Sequence, residues 1–135
     1  SIMASIFTRI VHGEIPSYKV AEDEDYYAFL DINPLAKGHT LVIPKKEIDY
    51  LFDIDSPTYE GLWSFTKKVA LAVEKVIPCQ RVGLAVLGLE VPHAHIHVVP
   101  INSIYDIDFS KPKLKLTEEE FTEIAKKINK AFTEG

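Results

Sequence analysis

The sequence predicts an α+β fold with five strand segments, several of them antiparallel neighbours. Five β-rich segments succeed one another, several joined by turns too short for a parallel crossover, and two long amphipathic helices enter without a regular βαβ rhythm. The chain has 135 residues, 47% of them hydrophobic, which is enough apolar side chain to fill one core. Residues 1–135 are therefore expected to form one domain.

Each element has its own reason. Over residues 5–12, Ile6 and Ile10 recur at helical spacing and Gly13 follows as a C-terminal stop, so a short helix is expected. After Pro16, residues 18–21 and 26–31 flank the acidic turn Glu22-Asp23-Glu24-Asp25 as a hairpin whose second strand is rich in aromatics. Beyond the Asn33-Pro34 break, Gly38-His39-Thr40-Leu41-Val42-Ile43-Pro44 reads as a third strand stopped by proline. The long helix starts with Ser56 as N-cap and Pro57 at the first helical position. Its apolar face, Leu62, Phe65, Val69, Val73 and Val76, runs to the stop at Pro78 and suits covering a sheet. Residues 81–87 and 93–100 supply a fourth and fifth strand, with Gly88 and Pro92 forcing an irregular connection between them. Residues 117–135 close the chain as a helix: Thr117 and Glu120 form a capping box, and Phe121, Ile124, Ile128 and Phe132 form one stripe. Met3 has the look of a natural start, leaving residues 1–4 as an N-terminal tail.

Charge and composition narrow the function. The net charge is -5, and basic residues occur singly or in pairs such as Lys45-Lys46 and Lys67-Lys68, which disfavours nucleic acid as a partner. No apolar run approaches the roughly 20 residues of a membrane span, and the single Cys79 cannot form an internal disulfide. A cytoplasmic location is expected. There is neither a glycine-rich dinucleotide fingerprint nor a Walker-type loop, so any phosphate must be bound by other donors.

The histidines are such donors. Of five, His93, His95 and His97 alternate in one strand-like run and His39 opens another. Alternate residues of a strand share a face, with neighbours about 6.5 to 7 Å apart, while Ala94, Ile96 and Val98 turn to the opposite, apolar face. Three imidazoles on one face suit either a metal, completed by His39 or Glu90, or a phosphate attacked by a neutral imidazole nitrogen. Spacing alone leaves both open.

The residues resemble a known family. His93-Ala94-His95-Ile96-His97, followed by Val98-Val99, resembles the histidine triad (HIT) signature of nucleotide hydrolases and transferases. Ser5-Ile-Phe-Thr-Arg-Ile-Val-His-Gly-Glu-Ile15 resembles the family's opening helix and turn. Residues 28–34 and 38–46 are similar to its central nucleoside-binding strands. The resemblance implies a HIT-like fold, a five-stranded antiparallel sheet with packed helices, assembled as a homodimer whose sheets join. It implies that Ile6, Phe7, Ile10, Phe29 and Ile32 form a slot for a purine-like base and that Asp31 binds the ribose hydroxyls. It implies further that His95 attacks phosphorus to form a nucleotidyl-histidine, that His97 and His39 bind or orient around the phosphate, and that His93 steadies His95, with no cofactor or metal required. The expected activity is hydrolysis of a nucleoside 5′-phosphoramidate, nucleotidyl ester or dinucleoside polyphosphate, falling at low pH as His95 takes a second proton. The alternatives are a nucleotide-binding module with little turnover and a metal-dependent hydrolase.

One segment departs from the family. Where many members carry Gly-Gln-Ser/Thr-Val, this chain has Gly88-Leu89-Glu90-Val91. Glu90 is expected either as a buried, protonated acid for the leaving group or as a solvent-facing carboxylate paired with a lysine. The segment 81–87 also lacks the usual asparagine and glycines, so leaving-group preference cannot be carried over.

Overall fold

A computed structural model describes residues 4–135; the expectation of a tail at Ser1, Ile2 and Met3 lies outside the described residues. Ser5 caps helix α1 (Ile6–Val11), its hydroxyl accepting the Thr8 amide, and Gly13 follows with φ +76°, a conformation open to glycine. Strands β1 (Lys19–Glu22) and β2 (Tyr26–Leu30) form the expected hairpin, where the Asp23 carboxylate accepts the amides of Asp25 and Tyr26. Strand β3 (Thr40–Pro44) pairs with β2 in antiparallel register, Phe29 opposite Leu41.

Helix α2 (Ser56–Val76) begins one residue away from the expected position. Its N-cap is Asp55, whose carboxylate accepts both the amide and the hydroxyl of Thr58, so Ser56 is already helical. An ionised oxygen accepts more strongly than a serine hydroxyl, and it also complements the helix dipole.

Strands β4 (Arg81–Ala85) and β5 (Ile96–Ile101) are shorter than expected, because His93 and His95 precede β5 instead of lying in it. Proline at position 44 ends β3, and the Ala94 amide bonds instead to the Ile48 carbonyl, 2.7 Å away. The alternation nevertheless persists, with Ala94, Ile96 and Val98 buried in the main core. Helix α3 (Glu118–Glu134) has the expected capping box between Thr117 and Glu120.

The sheet order is β1-β2-β3-β5-β4, antiparallel throughout. Pairing of β3 with β5 joins segments far apart in sequence and sets His97 between Leu41 and Ala85. One sheet face, with Ala28, Leu30, Val42, Ile96 and Val98, packs under Leu62, Phe65, Val69 and Val73 of α2 and Phe121 and Ile128 of α3. The other face carries a smaller cluster of Phe7, Ile10, Tyr27, Phe29, Leu41 and Ile43 beneath α1. That second face holds the histidines. Among the described residues, no helix is long and apolar enough to cross a membrane.

Candidate active site

Hydrogen bonds assign the imidazole protons one ring at a time. The Leu35 amide donates to His39 Nδ1 at 2.9 Å, so a neutral His39 holds its proton on Nε2 and donates it to His97 Nδ1, also 2.9 Å away. His97 then carries its own proton on Nε2. For His95, Nδ1 lies 2.8 Å from the His93 carbonyl, which can only accept, so the proton sits on Nδ1 and Nε2 keeps a lone pair. His93 donates from Nε2 to the Pro44 carbonyl at 2.7 Å and accepts at Nδ1 from the Ser5 hydroxyl at 2.8 Å.

Burial favours the neutral form of His39, His97 and His93. It pushes His39 down to about 3 and, helped by the neighbouring His95, pushes His97 down to about 4; it also lowers His93. Among the described residues, only Trp63 Nε1 is a fully buried side-chain polar atom without a partner. The Nε2 atoms of His95 and His97, which have no hydrogen-bond partner among the described residues, therefore reach solvent, although both residues are buried. The cluster presents one lone pair and one N–H side by side, with ring centroids 5.1 Å apart. A lone pair can attack an electrophile, and the N–H can hold the negative oxygen that develops.

Asp31 follows β2 beside this pair. Its carboxylate accepts the Asn33 amide at 2.8 Å and lies 3.5 Å from His39 Nε2. Burial raises its pKa, and Glu90 adds to the rise, against the opposing pull of the Asn33 amide, His95 and Lys113. Asp31, His39 and His97 bring three possible metal-ligand atoms within 4.8 Å of one another. The two imidazoles of that group are joined by their hydrogen bond.

The expected base slot divides in two. Phe7, Ile10 and Phe29 are buried together, with the Phe7 edge against His95 at a centroid distance of 5.0 Å, whereas Ile6 and Ile32 are 47% and 64% exposed. Any role for those two is at a rim. Glu90 is exposed, so the buried setting expected of a protonated acid is absent; no ion pair with a lysine is present among the described residues either. Its neighbour Leu89 is 90% exposed.

Several site residues escaped the sequence reading. Phe109 packs its ring 4.6 Å from His97, the Leu35 amide orients His39, and the Ser5 hydroxyl and the Pro44 carbonyl orient His93. Backbone partners carry no side-chain signature. The bond from the Ser5 hydroxyl to His93 spans 88 positions, which no local pattern carries.

The family model of the HIT domain matches residues 12–104. An uncharacterized HIT-like protein of Borreliella burgdorferi is 38% identical over 132 residues, covering 92% of this chain and 95% of that protein. The adenosine 5′-monophosphoramidase of Schizosaccharomyces pombe is 33% identical over 130 residues, covering 94% and 97%. Among solved structures, a Hit-like protein from Bartonella henselae superposes with a TM-score of 0.80 at 35% identity, covering 94% of this chain and 95% of that one. With the triad, the sheet order and these matches in agreement, the chain belongs to the histidine triad family.

Proposed function

We propose that the protein hydrolyses nucleoside 5′-phosphate derivatives, with phosphoramidates of a purine nucleoside as the first substrate class, through a covalent intermediate on His95 Nε2. The observation that carries this reading is the bond from His95 Nδ1 to the His93 carbonyl, which leaves Nε2 as an unprotonated, solvent-reaching nitrogen. Nε2 attacks phosphorus as the bond from phosphorus to the amine nitrogen breaks, and the departing nitrogen takes its proton from solvent. Water then cleaves the bond between phosphorus and Nε2, releasing the nucleoside monophosphate and restoring the neutral ring. The free N–H of His97, backed by His39, is suited to the phosphoryl oxygen as charge develops there. Phe7, Ile10 and Phe29 offer an apolar wall to the base, Ile6 and Ile32 its rim, and Asp31 an acceptor for ribose hydroxyls. The phosphoramidase name of the yeast relative supports the same class. Glu90, exposed near this cleft, is kept only as a candidate contact to the leaving group.

A homodimer goes with this reading. The β1 edge is covered where Asn129 Nδ2 donates to the Val20 carbonyl, whereas β4 ends the sheet on the other side with Leu84 exposed. A cytoplasmic location also accords with it.

Incubation with adenosine 5′-phosphoramidate, nucleotidyl esters and dinucleoside polyphosphates, beside His95→Ala, tests the proposal. The variant is expected to lose at least about 10³-fold in kcat while still binding AMP, because binding groups survive removal of the nucleophile. Equal rates for the two proteins would defeat the mechanism, and a wild type without turnover on the whole panel would favour a binding module.

A further inference from the structure

Away from the cleft, an exposed carboxylate ends a line of hydrogen bonds that runs to the nucleophile. Glu47 Oε1 accepts the Ser5 amide and the Thr8 hydroxyl, each at 2.6 Å. These short bonds, from the Thr8 hydroxyl first and the Ser5 amide second, hold the Glu47 carboxyl below the usual carboxylate range although the side chain is at the surface. Neither bond is needed to cap α1, since the Thr8 amide already has the Ser5 hydroxyl oxygen as its acceptor at 3.0 Å.

Counting protons shows what Glu47 controls. The Thr8 hydroxyl has one proton and spends it on Glu47, so it cannot donate to His93 Nδ1, 3.3 Å away, and toward Ser5 Oγ, also 3.3 Å away, it can only accept, over a longer path than the 2.8 Å from Ser5 Oγ to His93 Nδ1. The Ser5 hydroxyl, already accepting from the Thr8 amide, is left to aim its own proton at His93 Nδ1. His93 thus receives one defined donor at Nδ1 while its Nε2–H is fixed on the Pro44 carbonyl. Both ring nitrogens being satisfied, the residue is held at a single orientation, and its carbonyl is the group that accepts the hydrogen bond from His95 Nδ1. The same turn of α1 carries Phe7, whose ring edge meets His95.

We propose that Glu47 is a positioning residue for the nucleophile, acting through Thr8 and Ser5 on His93 and through the His93 carbonyl on His95. The inference rests on the reading of His95 as the nucleophile. Without the carboxylate the Thr8 hydroxyl is free to turn toward Ser5 or His93, and two donors then compete for one imidazole nitrogen. Glu47→Gln keeps an acceptor oxygen in place; Glu47→Ala removes it. Thr8→Val removes the competing hydroxyl while leaving Glu47 on the Ser5 amide.

The test is the nitrogen NMR spectrum of the His93 and His95 rings in the wild type and the three variants, read beside phosphoramidate turnover. Glu47→Ala is expected to shift the His93 Nδ1 resonance and lower kcat about 10-fold with KM little changed, the scale of losing an outer hydrogen-bond partner of an active-site imidazole. Glu47→Gln is expected to restore both, and Thr8→Val to stay close to the wild-type ring spectrum. Unchanged ring resonances and kcat in folded Glu47→Ala would overturn the proposal, as would Glu47→Gln losing as much as Glu47→Ala. A wild type that turns over nothing would sink the hydrolase reading instead, and the ring spectra would still decide whether Glu47 orients His93.

Discussion

His39 Nε2 lies 2.9 Å from His97 Nδ1 with both rings buried, so one proton joins two imidazoles that must stay neutral together. Protonating either ring would bury a cation and remove the Nδ1 acceptor of one of these bonds, and protonating both would set two cations against each other. The neutrality that lets His97 offer its remaining N–H therefore has a consequence for stability as well as for chemistry.

Burial depresses His39 to about 3 and His97 to about 4 in the folded protein, whereas an unfolded histidine titrates near about 6.5. Between those values the unfolded chain binds more protons, so stability is fully present above about pH 6.5 and is lost as the pH falls toward the folded values. Urea unfolding between pH 7 and pH 4.5 should show this decline, and His97→Asn should flatten it. An equal slope in the variant would mean that other groups carry the acid sensitivity.

Asp31 has the opposite sign of shift for a carboxylate that helps folding. Burial raises its pKa, so the folded state binds the proton more readily and the ionised form costs stability at neutral pH. Asp31→Asn keeps an oxygen for the Asn33 amide, so it is expected to raise Tm without ligand and to weaken AMP binding about 10-fold, the scale of one or two lost ribose hydrogen bonds. Scanning calorimetry and titration calorimetry check the two halves. A lower Tm with unchanged affinity would remove Asp31 from the ribose site.

The proposed chemistry needs no metal, since imidazole supplies both nucleophile and donor. Extensive treatment with a chelator, verified by elemental analysis, should leave the phosphoramidate rate within about twofold of the untreated enzyme, a change far below one unit of transition-state arithmetic. A rate restored only by zinc would point to Asp31, His39 and His97, the three groups whose ligand atoms already converge.

Periodicity made the fold legible. Helix α3 was readable to its capping box because Thr117, Glu120 and the stripe of Phe121 and Ile128 are all local. The face of Ala94, Ile96 and Val98 was readable because a strand alternates, and that alternation survives even where β5 has not yet begun. What could not be read was long-range. The β3–β5 pairing that sets Leu41 against His97, the Leu35 amide on His39 and the Ser5 hydroxyl on His93 depend on how distant segments meet. Position in a motif identified the histidines; only their partners show which nitrogen of each holds the proton.

The edge strand gives a test of assembly. Leu84 is 43% exposed on β4, beside an edge with no partner strand among the described residues. Lysine on such an edge opposes pairing with a second sheet. If two chains join there, Leu84→Lys should convert a dimer to a monomer in sedimentation velocity with the fold intact. A wild-type monomer, or a variant that still dimerises, would place assembly elsewhere or remove it.

Gly38 links the backbone to the site in a way one methyl group can probe. Its φ is +90°, a conformation side chains rarely adopt, and an added Cβ would stand 2.7 Å from Ile77 Cγ1 at the end of α2. Gly38→Ala should cost about 1–3 kcal/mol from the backbone strain alone. The next residue is His39, so relaxing that strain turns its ring away from the Leu35 amide and loosens the bond to His97. The variant is therefore expected to lower kcat as well as Tm. Adding Ile77→Ala removes the steric contact and leaves the backbone strain. If the contact were the whole cause, the double variant would recover both kcat and the stability lost to the glycine change. The expected result is that kcat stays low, because the position of His39 is set by a backbone angle that only glycine adopts cheaply.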